Sequence, residues 1–193
     1  MNRELYTIGH SRHPIGLLTG HLQRHGITML VDVRSRPASR FAPQFNRAAL
    51  EGSLAGAGVA YVFLGDELGA RSSDPACHRD GKAEYGLIAG MPGFQRGLAR
   101  VRAMTLGQRV CLMCAERDPL DCHRTMLVGI RLRSSDLALS HILADGELEP
   151  HERSENRLLA RWRLDQPELW RDHGERLAEA YRRQCDVLAY RVR

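Results

Sequence analysis

The sequence predicts an α/β fold: a mostly parallel sheet of four or five strands flanked by helices, Rossmann-like and three-layered, with a C-terminal helical extension. Three observations carry this. Short apolar runs alternate with segments of helical periodicity. Two of those runs are almost unbroken by polar residues, as suits strands buried on both faces of a parallel sheet. Polar clusters follow the strands, at the carboxyl edge where such sheets bind ligands.

The elements follow in order. "LYTIGHS" reads as a strand over Leu5–Ile8 that stops at Gly9. In "PIGLLTGHLQRHGI", Ile15, Leu18 and Leu22 fall at helical spacing between a proline and Gly26. "TMLVDVRS" reads as a buried strand, "NRAALEGSLAGAG" as a helix and "VAYVFLG" as a third strand. "RSSDPACHRDGKAEYG" is rich in turn formers and reads as a loop, and "GFQRGLARVRAMTLG" as a helix. "QRVCLMCAE" is a fourth strand, "HRTMLVGIRLRS" the helix after it, and "LALSHILADGEL" a final short strand and turn. The α/β domain spans 1–149. Over 150–193 mixed charges and widely spaced Leu, Trp and Tyr predict one or two amphipathic helices, broken near Pro167, packed on the same domain or joining two copies.

Bulk properties exclude several classes. The 193 residues are 43% hydrophobic and 26% charged, enough apolar content for one ordinary core. No apolar run approaches the ~20 residues that cross a bilayer, and "MNRELYTIGHS" lacks the layout of a signal peptide, so a cytoplasmic, non-membrane protein is expected. Five cysteines in a reducing compartment are expected as thiols, ligands or catalytic groups rather than disulfides. The net charge of +5 permits anionic partners. Lys82 is the single lysine, which a GC-rich coding sequence would explain for arginines scattered on helix surfaces.

Three clusters sit just after strands: "GHS", "DVRSRPASR" and "CAERDPLDCHR". In the last, strand alternation turns Cys111 and Cys114 to opposite faces, so Cys111 is expected in the core and Cys114 at the site. Glu116 is a candidate general acid or base, His10 and His123 candidate proton carriers, and Cys122 a small buried residue or a participant. Cys185 reads as structural. A phosphatase-type loop needs five residues between cysteine and arginine, whereas nine separate Cys114 from Arg124. A zinc reading would recruit Cys114, Cys122 and His123, with Cys77 or His78 as a distant fourth ligand. The usual paired spacings are missing and adjacent Cys122–His123 is an awkward bite, so no metal or other cofactor is expected. Asp32 and Arg34 share a strand face and either pair with each other or serve a ligand. Ser11, Ser35, Ser39 and Arg40 with Arg34, Arg36 and Arg124 offer an anion pocket, because guanidinium forks match phosphate oxygens.

Together "TIGHS", "VDVRSRPASR", "YVFLGDELG" and "LMCAERDPLDCHR" resemble the motifs of the bacterial and archaeal family called domain of unknown function 488, over roughly residues 6–145. The family's first motif falls on Thr7–Ser11. Its second falls on Asp32, Val33, Arg34, Ser35, Pro37, Ser39 and Arg40, and its third on Cys114, Ala115, Glu116, Cys122, His123 and Arg124. Ala70 stands where the family often has glycine. The resemblance implies that these motif residues form the site and supplies no activity.

The expectation is an enzyme, a hydrolase or transferase, acting on a phosphorylated small molecule or nucleic acid at the carboxyl ends of the strands. Cys114, Glu116, His10 and His123 would carry the chemistry, and Arg34, Arg40 and Arg124 would hold the anion, with Ser11, Asp32, Ser35, Ser39 and Cys122 lining the substrate's place. A non-catalytic nucleic-acid-binding module and a zinc-stabilised regulatory protein are the rival expectations.

Overall fold

The structure, a computed structural model, describes residues 3–167 and 169–191. Strand β1 (Arg3–Gly9) is followed by helix α1 (Ile15–Arg24), β2 (Met29–Asp32), α2 (Arg47–Gly56), β3 (Ala60–Phe63) and the short α3 (Gly65–Leu68). A two-stranded hairpin, β4 (His78–Arg79) and β5 (Lys82–Ala83), precedes α4 (Tyr85–Gly90) and α5 (Pro92–Met104). Then come β6 (Val110–Cys114), a π-helical stretch (Arg124–Gly129) running into α6 (Ile130–Leu132), β7 (Leu137–Ile142) and β8 (Leu148–Pro150). Helices α7 (His151–Arg161) and α8 (His173–Leu188) close the chain.

The main sheet has six strands in the order β3-β2-β6-β1-β7-β8, parallel except for β8, which runs against β7. The expected parallel α/β sheet is therefore present, with one strand more than the sequence reading allowed. Residues Leu148–Pro150 carry only three positions and one buried side chain, too short a pattern to register as a strand. The hairpin was also read as loop. Its turn is Asp80-Gly81 with both φ values positive, the Asp-Gly pair that two-residue hairpins favour.

Two apolar layers flank the sheet. Leu18 and Leu22 of α1 and Leu50 and Leu54 of α2 pack on one face with Tyr6, Ile8, Leu30 and Cys111. Leu98 and Val101 of α5, Leu127, and Leu158 and Leu159 of α7 pack on the other with Leu5, Val31, Leu112 and Cys114. Cys111 and Cys114 thus face opposite layers, as the strand period requires. No helix among the described residues is long and apolar enough to cross a membrane.

The C-terminal helices are tied into the core by a chain of buried hydrogen bonds. Arg124 Nε donates to Thr7 Oγ1 (3.3 Å), and Thr7 Oγ1 lies 2.9 Å from His141 Nδ1. His141 Nε2 lies 2.9 Å from His151 Nδ1, and His151 Nε2 2.8 Å from Tyr181 Oη, which donates to Glu155 (3.0 Å). Every link is satisfied when both imidazoles are neutral with the proton on Nε2. Burial above all, and neighbouring positive charges, lower both histidines and so favour that state. Pro167 falls between α7 and α8, and an Asp172–Glu175 capping box starts α8.

Positioning of the site begins at the end of β1. Gly9 pairs with Cys114, and the pairing continues past both strands: His10 N–H donates to Cys114 O (2.9 Å) and Ser11 N–H to Ala115 O (2.8 Å). A Cβ on Gly9 would overlap the Glu116 carbonyl, which folds down over it. Gly9→Ala is therefore expected to lower stability by about 1–3 kcal/mol or more, the usual cost of forcing an extra carbon into a packed site. Urea denaturation checks this, and an unchanged midpoint would mean that the loop does not sit on Gly9.

Candidate functional site

β1 feeds α1 on one face of the sheet, while its neighbour β6 feeds the π-helical stretch on the other. The loops after these two strands part, and a crevice opens between them, the place where open α/β sheets bind ligands. A cavity of about 660 Å³ lies there, lined from all three clusters by His10, Ser11, Arg34, Ser35, Ser39, Cys114, Glu116 and His123. The same wall carries Arg12, Arg36, Arg71, Arg117 and Phe41.

Arg34 and Asp32 make a buried two-pronged pair: Arg34 Nε donates to Asp32 Oδ1 (2.9 Å) and Nη2 to Oδ2 (2.6 Å). Tyr61 Oη donates to the same carboxylate (2.9 Å), and Arg34 Nη2 also donates to Phe45 O (2.8 Å). Arg34 Nη1 lies 3.1 Å from His10 Nε2. Four of the five guanidinium donors are thus engaged, leaving one on Nη1. Arg34 holds the loop first and has a single N–H to offer a ligand.

His10 is expected from sequence as a proton carrier, and its surroundings oppose that. Nδ1 donates to the Ser11 carbonyl (2.8 Å), Nε2 accepts from Arg34, and the ring stacks on Phe45 at 4.2 Å. Burial first, then the Arg34 charge, bring its pKa down from 6.5 to about 4. His10 is neutral at pH 7 and both its nitrogens are spent on positioning.

Arg124 is also placed differently from expectation. Its side chain is fully buried. Nη1 donates to Glu116 O (2.6 Å) and Nη2 to Arg117 O (3.2 Å), so it fastens the backbone of the site loop and does not line the cavity. Arg40 is exposed and stacks over Phe41 at 4.8 Å, outside the lining. Ser35 Oγ accepts from Arg71 N (3.1 Å) and Ser39 Oγ from Phe41 N (3.1 Å), both fixing the arginine-rich loop. Of the cavity-lining arginines, Arg12, Arg36 and Arg117 have no ion pair, side-chain hydrogen bond or ring contact among the described residues, whereas Arg71 stacks over Tyr190 at 5.2 Å. Sequence reasoning did not separate them, because partner counts depend on contacts distant in sequence. Phe41, 69% exposed beside the cavity, was likewise missed. An exposed phenylalanine between Arg40 and Ala42 was its one signal.

Cys114, Glu116 and His123 form the cavity floor, and Cys122 beneath them completes a cluster of four side chains. Asp118 caps the Pro119–Asp121 turn by accepting from Leu120 N (2.8 Å), and this turn brings Cys122 and His123 back to the end of β6. Cys114 Sγ donates to Glu116 Oε2 (3.0 Å), and Cys122 Sγ lies 2.9 Å from the same oxygen. His123 Nδ1 is 3.6 Å from Cys114 Sγ and 4.0 Å from Cys122 Sγ, while Nε2 donates to Val33 O (2.8 Å). Burial raises the Cys114 thiol well above its usual range, and Cys122 and Glu116 beside it push the same way. At Cys122 burial also opposes charge, but the bond from Cys114 and the Arg124 and His123 charges outweigh it and hold the thiol low. Burial and the Cys122 charge raise Glu116, and His123 is raised by Cys122 against the effect of burial. Ionisation in the cluster is thus favoured at Cys122, beneath the floor, and disfavoured at Cys114, which faces the cavity.

A family model described as "Domain of unknown function DUF488" matches residues 15–130. The chain belongs to this family. The match takes in "DVRSRPASR" and "CAERDPLDCHR" and begins just after "TIGHS", which the DUF488 chain zips to the cysteine loop through the Cys114 and Ala115 carbonyls. No curated protein and no solved structure matches the chain.

The lowered His10 pKa fixes a sign. The neutral ring is favoured in the fold, so its contribution to stability is whole above pH 6.5 and is lost as pH falls toward 4, roughly 3 kcal/mol in all. By nitrogen-detected NMR the His10 ring is expected to stay neutral, protonated on Nδ1, from pH 8 to about pH 5. A midpoint near 6.5 would mean that the ring is neither buried nor in contact with Arg34.

Proposed function

We propose that this cavity is the active site of a hydrolase or transferase acting on a phosphorylated substrate, a nucleotide or nucleic acid. One observation carries the reading: five arginines line the cavity against one carboxylate, Glu116, and three of the five have no partner among the described residues. Converging guanidiniums repel one another and favour an anion, and their planar forks fit phosphoryl oxygens. The volume of about 660 Å³ suits a small molecule or a single nucleotide unit rather than a duplex.

In this reading Arg12, Arg36 and Arg117 hold the phosphate, joined by the one spare N–H of Arg34. Phe41 supplies an apolar face for a base, which favours a nucleotide over inorganic phosphate. Cys114 and Glu116 sit at the floor, within reach of a bound phosphoryl group, with His123 behind them. A binding module without chemistry has no use for a thiol and a carboxyl at the base of its anion pocket, and that favours the enzyme. The protein is assigned to the reducing cytoplasm in the same proposal, since all five cysteines are free thiols.

Calorimetry with phosphate and a nucleoside monophosphate tests the assignment. Arg36→Ala is expected to weaken both by about 1–3 kcal/mol and leave the melting temperature unchanged. Phe41→Ala should weaken the nucleotide alone. Arg124→Ala should lose stability instead, since it strips the site loop of its anchor. Absence of binding to the wild type would end the phosphorylated-substrate reading.

A further inference from the structure

The geometry points to a divalent-cation site built by Cys114, Glu116, Cys122 and His123, with zinc the ion its donors favour. The sequence argues against such a site, because the paired spacings are absent and the fourth donor has to come from Cys77 or His78. The fold removes both objections. The turn after β6 folds Cys122 and His123 back onto Cys114, and the fourth donor is Glu116. Cys77 is buried in the core, and His78 Nδ1 is occupied with the Asp74 carbonyl at 2.9 Å.

One donor atom from each of the four residues lies within 4.8 Å of every other. Zinc bonds of about 2.0–2.3 Å in a tetrahedron set donor atoms about 3.3–3.8 Å apart. Four of the six separations, 2.9 Å, 3.0 Å, 3.6 Å and 4.0 Å, straddle that range and the others stay within 4.8 Å, so adjustments of about an ångström complete the shell. Three independent features support it. His123 is oriented by its Nε2–H on the Val33 carbonyl, which turns Nδ1 toward the sulfurs, the outer hydrogen bond typical of a metal-bound imidazole. The backbone N–H of Arg124 donates to Cys122 Sγ (3.4 Å), which stabilises a thiolate there. Charge also balances: two thiolates, a carboxylate and a dication sum to −1, and the buried Arg124 guanidinium beside them supplies the compensating positive charge.

Thiolate and imidazole donors select zinc over magnesium or calcium. Cys114, Glu116 and His123 line the cavity, so the ion would sit in its floor. Glu116 is the exposed member of the four and the donor that water or a phosphoryl oxygen would displace. This exchange rests on the phosphorylated-substrate reading; the cation site does not.

The test is cobalt and zinc titration of the reduced, chelator-stripped protein. One equivalent of Co²⁺ is expected, with the intense visible bands of a tetrahedral ion and sulfur-to-cobalt absorption, displaced by one equivalent of Zn²⁺. Cys122→Ser should cut the sulfur absorption to about half and the Cys114→Ser/Cys122→Ser double variant should abolish it, and Glu116→Ala, at an exposed position, should keep the fold by circular dichroism and weaken the ion by about tenfold or more. Cys185→Ser should change nothing. Failure of the wild type to take up cobalt, uptake without sulfur absorption, or a Glu116→Ala protein that binds as tightly as wild type would each overturn the site. Phosphate calorimetry on the metal-free protein reads the arginines separately. Cobalt uptake without phosphate binding keeps the cation site and removes the substrate reading, and phosphate binding without cobalt uptake does the reverse.

Discussion

The buried guanidinium of Arg124 is the constraint on which the rest of the structure hangs. A charge fully removed from water is tolerable only if its donors are met, and here they are met by the Glu116 and Arg117 carbonyls and by Thr7. Those contacts draw the loop after β6 down onto the end of β1, where Gly9 leaves room for the Glu116 carbonyl. The same residue lends its backbone N–H to Cys122 and starts the line of hydrogen bonds that runs through Thr7, His141, His151 and Tyr181 to the C-terminal helices. The tail is thereby coupled to the site loop through groups that are all satisfied at neutral pH.

A second constraint acts from the neighbouring strand. Asp32 and Arg34 lock to each other, and through His10 they reach across to the β1 loop. Arginines therefore divide into two kinds that composition cannot separate. Arg34 and Arg124 hold the framework from inside, whereas Arg12, Arg36 and Arg117 stand around the opening with no acceptor among the described residues. The framework arginines let the loops converge, and the convergence makes the unpaired ones a binding surface.

Much of this was legible in the sequence, for reasons that are local. Strand alternation placed Cys111 and Cys114 on opposite faces and Asp32 with Arg34 on one face. The run of strands and helices gave a parallel sheet, and parallel sheets gather their strand-end loops at one edge. What was not legible depends on contacts distant in sequence. Period reveals a side chain's face but not its depth, so Arg124 looked like an anion ligand when it points inward. Glu116 was read as an acid or base and overlooked as a fourth donor, because a turn capped by Asp118 decides where Cys122 and His123 return. Strand β8 and the Asp80-Gly81 hairpin were too short to leave a periodic trace.

The cavity of this DUF488 protein thus has a cationic rim, an aromatic edge at Phe41 and a floor of a thiol, a carboxyl and an imidazole, with a second thiol beneath it. Arg12 and Arg36 of the rim follow β1 and β2, whereas Arg117 and the floor follow β6, and they meet because the fold brings those strand ends together. A crystal structure of the protein with a saturating nucleoside monophosphate tests this directly. The account predicts the phosphate among Arg12, Arg36 and Arg117, above Cys114, with the base against Phe41. An empty cavity with the nucleotide bound elsewhere, or a phosphate held only by Arg40 outside the cavity, would contradict it.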